Sequence, residues 1–268
     1  MRIPPTDHLD IIIDQFTRQS IPFTQIPGHF SAIDTLLRMS AVTADDTVLD
    51  VACGPGIVAC ELARHARSVT GVDITPGMLQ QARQRQRQQG LSNVQWQEAN
   101  ALQLPFAADT FSLVVTRYSF HHLQDVQQAL REMMRVCTPG GRVLVADVVM
   151  PDEQAAAYDE LETLRDPSHT HALSTSESLA LFASSGLTDC RFGTYEVEIE
   201  LEAQLAASFP AEEDVPRIRR MVTDDIGINR LGIHARRDAQ GGCTTPCRFG
   251  SMSGARLTRP TWSDGRCQ

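Results

Sequence analysis

The sequence contains no lysine: all 24 basic residues of the 268-residue chain are arginine. That absence excludes mechanisms built on a lysine amine, among them the P-loop lysine on nucleotide phosphates, the kinase strand lysine and Schiff-base catalysis. Basic residues are also outnumbered by 33 acidic ones, giving a net charge of −9, so the chain lacks the basic stripe of a nucleic-acid-binding surface. The Arg/Gln run at 83–89 lacks interleaved aromatics and reads as the solvated face of a helix. No apolar run approaches the roughly 18 residues that would suggest a membrane span. Ile11-Ile12-Ile13 is too short for a signal-peptide core, so a cytoplasmic location is expected. The seven cysteines include only one close pair, Cys243 and Cys247, and no Cys/His pair follows to complete a zinc site. The scattered Cys53, Cys60, Cys137 and Cys190 read as reduced, mostly buried thiols.

What is present is an alternation of apolar strands and helices. Thr47–Ala52, Ser68–Asp73, Asn93–Gln97, Phe111–Thr116 and Val143–Val149 read as five strands. Helical stretches at 57–67, 76–90 and 125–136 separate most of them, with Pro76 at a first helical position and Pro139-Gly140-Gly141 as a stop. Nearly continuous apolar strands alternating with helices imply a mostly parallel sheet covered on both faces, a doubly wound Rossmann-like α/β fold. Further helices are expected at 151–164 and 174–185, and a half-wet strand at Val197–Leu201.

The strongest local signal is Asp50-Val51-Ala52-Cys53-Gly54-Pro55-Gly56, where the first strand ends. Glycines there let backbone approach a ligand, and the next helix offers free amides at its N-terminus. Asp73 ends the second strand, placed to accept both hydroxyl hydrogens of an adenosine ribose. Gly54-x-Gly56-x-x-Ala59 also satisfies a dinucleotide fingerprint, so an NAD(P)-binding oxidoreductase is the competing reading. Asp50 weighs against it, because a carboxylate beside the loop repels a pyrophosphate and attracts an ammonium and a sulfonium.

These segments, with Ala99-Asn100-Ala101-Leu102-Gln103-Leu104-Pro105-Phe106 and Phe120-His121-His122-Leu123-Gln124-Asp125, carry a resemblance. Over roughly residues 30–200 the chain resembles class I SAM-dependent methyltransferases, the type 11 group that includes ubiquinone/menaquinone-biosynthesis C-methyltransferases. The resemblance implies S-adenosyl-L-methionine as cofactor and a small-molecule acceptor, methylated on O, N or C by in-line displacement with catalysis mainly by positioning. It assigns cofactor binding to Asp50, Ala52, Gly54, Gly56, Asp73, Ile74, Met78, Asn100, Ala101 and Arg117. Asn100 stands where many relatives carry Asp. A catalytically inactive SAM-binding protein is a further alternative.

For the acceptor side, His121 and His122 are the candidate base or orienting groups. Phe16, Phe23, Tyr118, Arg165 and His169 are candidate acceptor contacts, with Arg165 expected to pair structurally with Asp166. Residues 1–30 are expected to form a lid or arm and 31–238 the catalytic domain. Residues 239–268, rich in Gly, Thr, Ser, Arg and Cys, are expected to be irregular. That leaves in doubt the final antiparallel strand that this fold requires. Residues 227–268 hold seven arginines against two aspartates, so a basic tail hides a more acidic body.

Overall fold

The computed structural model describes residues 7–30, 32–239 and 241–257. Eight strands form one sheet: β1 (Thr47–Val51), β2 (Ser68–Asp73), β3 (Val94–Glu98), β4 (Phe111–Arg117), β5 (Cys137–Val148), β6 (Leu187–Glu200), β7 (Arg236–Arg237) and β8 (Cys243–Arg256). Their order is β3-β2-β1-β4-β5-β8-β6, with β7 on β8. The pairs from β3 to β5 are parallel, whereas β8 runs antiparallel to both β5 and β6. The order reverses between β1 and β4, which makes the carboxyl ends of these two strands the topological switch point.

Alternate residues of each strand serve opposite faces. Val48, Leu113, Val115 and Leu144 pack under Leu36 of α2 (Ile33–Ser40) and under Val58 and Leu62 of α3 (Ile57–Leu62). Leu49, Val51, Val114 and Val143 pack on the other face, against Leu130 and Met133 of α5 (Val126–Val136) and Leu181 and Phe182 of α7 (Thr175–Ser185). Both of these helices start on a side-chain cap. Asp125 accepts from Gln128 N (2.8 Å), and Ser174 forms a capping box with Glu177. The remaining helices are α1 (His8–Gln19), α4 (Pro76–Gln88), α6 (Ala155–Arg165), α8 (Leu201–Ser208) and α9 (Val215–Asp224). A third apolar cluster joins α6, α8 and α9 to β6 and β8 through Tyr158, Leu205, Ile218, Val197 and Phe249.

The expectation of an irregular segment after residue 239 is corrected by β8. Residues 243–256 form a fourteen-residue strand between β5 and β6, and the antiparallel strand held in doubt is present. Residues 258–268 lie outside the described residues. Alternation was the wrong test for this strand, because both of its faces are covered and small or polar residues (Thr244, Thr245, Ser251) are buried alongside Cys247, Phe249 and Met252. A β-carbon on Gly250 would lie 2.5 Å from Val149, and one on Gly254 2.9 Å from Leu187. Close packing, not turn formation, therefore accounts for these glycines. The sixth strand is also longer than its alternating half, beginning at Leu187, and α8 and α9 gave no sequence expectation.

Candidate active site

At the switch point, the turn after β1 is built from left-handed backbone: Ala52, Gly54 and Gly56 have φ of 53°, 51° and 74°. The Asp73 carboxylate holds this loop, accepting from Gly54 N and Thr75 N, each at 2.8 Å. Burial raises the Asp73 pKa against the opposing effect of those amides. The loop walls a cavity of about 920 Å³. Its lining includes Ala52, Cys53, Gly54, Asp73, Ile74, Met78, Asn100, Ala101, Arg117, Tyr118 and His122, covered by Leu9, Ile12, Phe16 and Phe23. Eight of the ten expected cofactor residues thus converge from the ends of four strands.

Two do not line it. Gly56 serves packing: a β-carbon there would lie 2.6 Å from Trp96 and 2.9 Å from Ala82. It brings α3 against α4 and β3 rather than bringing backbone to a ligand. Asp50 sits behind the loop, 1% exposed, and among the described residues its Oδ2 has no hydrogen-bond partner. Burial, with the Asp73 charge adding to it, pushes its pKa up to about 8. A buried carboxyl with an unsatisfied oxygen is an acceptor waiting for positive charge. Asn100 lines the cavity but already spends its side-chain carbonyl on Leu102 N (2.9 Å), closing a turn. Arg117 lays its guanidinium 4.1 Å from the Tyr118 ring centroid and donates to the Tyr118 hydroxyl at 2.6 Å. Its side chain thereby shapes the wall of the cavity.

A second cavity of about 730 Å³ adjoins the first and shares Phe16, Phe23, Tyr118 and His122 with it. Its remaining walls include His121, Tyr158, Val197, Ile199, Cys247, Phe249 and the Glu162–Arg165 pair. Arg165 Nε donates to Glu162 Oε1 (3.0 Å) and Nη1 to Ser208 Oγ (2.7 Å). Its partner is therefore Glu162, one helical turn back, and not Asp166. His169 lines neither cavity. Its buried ring donates from Nε2 to Asp159 Oδ1 at 2.7 Å, a structural contact that corrects the acceptor role expected for it. Phe30 lies outside both cavities, exposed beneath Arg85.

His121 and His122 pack with ring centroids 4.1 Å apart and planes tilted by 45°, just beyond the end of β4. His121 Nδ1 meets the Asp147 carboxylate, which also accepts from Ser119 N (2.8 Å) and Phe120 N (2.6 Å). Burial disfavours its charged form, but Asp147 outweighs that and raises its pKa. Burial and the neighbouring His121 lower the His122 pKa, so that ring is held neutral. Asp147 and Ser168 had no assigned role in the sequence reading, and Asp166 entered it only as the expected partner of Arg165. Asp147 carried a usable signal, a carboxylate closing an apolar strand, whereas the partners of Asp166 and Ser168 are remote in sequence.

The fold and this cleft define an α/β protein that holds an adenosine-type ligand at the switch point, next to a second and separate binding space. A methyltransferase-domain family model matches residues 49–145. The chain is 34% identical over 154 residues to the uncharacterized methyltransferase YcgJ of Bacillus subtilis, covering 57% of this chain and 61% of that protein. It is 33% identical over 159 residues to the uncharacterized protein YafE of Escherichia coli, covering 59% of this chain and 77% of that one. The crystal structure of the Bacillus YcgJ protein superposes with a TM-score of 0.77 at 24% identity, over 85% of this chain and 99% of that chain. The chain belongs to the methyltransferase-domain family through residues 49–145, and S-adenosylmethionine is the cofactor its cleft fits. The orphaned Asp50 oxygen and the Gly54–Asp73 cradle are the observations that agree with that cofactor.

Proposed function

We propose that this protein methylates a small-molecule acceptor seated in the second cavity. The observation that carries the reading is the shared wall: Phe16, Phe23, Tyr118 and His122 border both spaces, so a donor in one and an acceptor in the other meet there. When bound, S-adenosylmethionine supplies an activated methyl group: the acceptor's lone pair forms the new bond to carbon while the carbon–sulfur pair returns to sulfur, leaving S-adenosylhomocysteine.

The chain's own residues bind, orient and enclose. Asp73 is placed for the ribose hydroxyls, with Ile74 and Met78 on either side of the base. Asp50, neutral in the ligand-free protein, supplies negative charge behind the loop once the cationic end draws its proton off. Residues 7–30 roof both cavities. His8 Nε2 donates to His122 O (2.8 Å), Gln19 Nε2 to Asp166 Oδ2 (2.8 Å), and Gln15 to Ser208 O. This roof excludes water from the join, where positioning contributes most of the catalysis. The cavity's one arginine is neutralised by Glu162, and its other walls are mainly apolar or aromatic. Those walls suit an uncharged, aromatic or largely apolar acceptor better than an anion or a nucleic acid.

Calorimetric titration with S-adenosylmethionine and NAD, followed by a labelled-methyl assay over phenols, quinols and heterocycles, tests the reading. Binding of S-adenosylmethionine with transfer to a member of that panel is expected. Binding of NAD in its place would overturn the proposal.

A further inference from the structure

The second cavity has one feature that positioning alone does not require, a chain of hydrogen bonds leading away from His122. Its Nδ1 lies 3.0 Å from Ser168 Oγ, which lies 2.5 Å from Asp166 Oδ1. Asp166 is 2% exposed and accepts two further hydrogen bonds, from Ser168 N on Oδ1 (2.9 Å) and from Gln19 Nε2 on Oδ2 (2.8 Å), with the charge of Arg165 nearby. Such a carboxylate is ionised and can only accept. The single Ser168 hydroxyl hydrogen therefore points to Asp166, and Ser168 Oγ must receive its other bond from His122. A neutral imidazole carries one hydrogen. If that hydrogen is on Nδ1, the lone pair is on Nε2. Among the described residues, no hydrogen bond occupies Nε2, and the ring borders both cavities.

We propose that Asp166 and Ser168 are positioning residues that fix His122 as its Nδ1–H tautomer, so that Nε2 is the general base for an acceptor hydroxyl at the join of the two cavities. This rests on the methyl-transfer reading and narrows its acceptor to a neutral hydroxyl compound that must lose its proton as oxygen takes the methyl group. The proton passes from the acceptor oxygen to Nε2, and the single positive charge brought in by the sulfonium ends on the imidazolium. Ser168 and Asp166 then stabilise that cation through Nδ1–H. The groups facing His122 set when this works. His121, paired to Asp147, lies against one side of the ring, with Phe16 edge-on at 4.9 Å and His169 at 6.5 Å. A charged His121 opposes a second charge on His122, so the rate with a hydroxyl acceptor rises with pH as His121 loses its proton. Gln19 belongs to α1, so the same helix that roofs the cavities completes the carboxylate's shell.

The direct test is tautomer-resolved nitrogen NMR of histidine-labelled protein, with His122 assigned by comparison with His122→Gln. Neutral His122 in the Nδ1–H form is expected at pH 7 in the wild type, the Nε2–H form in Ser168→Ala, and a return to Nδ1–H in Ser168→Thr. Observing the wild-type ring as Nε2–H, or as imidazolium at pH 7, overturns the proposal without any acceptor being known. The second arm uses phenols of graded acidity in the methyl-transfer assay. Ser168→Ala is expected to lower kcat by about 100-fold for phenols that are un-ionised at the assay pH, with little change in KM. The loss should vanish for nitrophenols that arrive already ionised, and Ser168→Thr should rescue. An equal loss across the series overturns the relay. Failure to bind S-adenosylmethionine would instead overturn the methyl-transfer reading, with the tautomer spectrum still deciding the relay.

Discussion

Replacing Asp50 by asparagine is expected to flatten the pH dependence of stability of the ligand-free protein. Asp50 is 1% exposed, one of its oxygens has no partner among the described residues, and its pKa stands at about 8 in the folded chain. In the unfolded chain it returns to the ordinary aspartate value of 3.8. A folded pKa above the unfolded one means that unfolding releases a proton at intermediate pH. The contribution of Asp50 is then fully present below about pH 4 and is lost progressively as pH rises to about 8. The slope is about 1.4 kcal/mol per pH unit, so between pH 5.5 and 8 the wild type loses about 3 kcal/mol that Asp50→Asn does not. Denaturant unfolding of both proteins across that range measures the difference directly, with contributions of other groups cancelling between them. Adding S-adenosylmethionine gives a second reading. A cation near Asp50 draws its proton off, so wild-type affinity is expected to rise with pH while that of the asparagine variant does not. Parallel stability curves for the two proteins from pH 5.5 to 8 would refute the argument that Asp50 is buried in its neutral form.

Three further outcomes are expected. Asp73→Ala removes the acceptor of two loop amides as well as the ribose contact, and calorimetry is expected to show S-adenosylmethionine binding weakened by at least about tenfold, the equivalent of one charge-assisted hydrogen bond. Gly56→Ala puts a β-carbon against Trp96 at a residue with φ of 74°, and chemical denaturation is expected to show a loss of about 1–3 kcal/mol. Truncation after Asp238 removes β8 and leaves β5 and β6 without the strand that joins them. Circular dichroism and thermal melting are expected to show loss of cooperative folding. A cooperatively folded, cofactor-binding truncation would show that the first five strands suffice.

The cofactor half of this molecule was written in local sequence. β1, β2 and β4 are short, largely apolar runs with a charged residue at or next to the end (Asp50, Asp73, Arg117), and the ligand cleft of a parallel sheet must lie at those ends. Asp50, the glycine loop and Asp73 therefore announced their chemistry before any contact was known. The acceptor half was not legible in the same way. Its walls come from α1, the β4 end, α6, β6 and β8, and proximity between residues so distant along the chain leaves no local pattern. The sequence offered Arg165 and His169 as contacts, but only packing shows that Glu162 neutralises the first and Asp159 captures the second. Glycine in Gly56 and glycine in Gly254 look alike in a sequence, and tertiary neighbours decide that both serve close packing. β8 was misread because a strand covered on both faces has no wet side to impose alternation. Composition and strand punctuation determined the fold class and the cofactor cleft. Only the assembled sheet decided where the chain's last described strand goes and which remote residues border the second cavity, because those contacts join segments far apart in sequence.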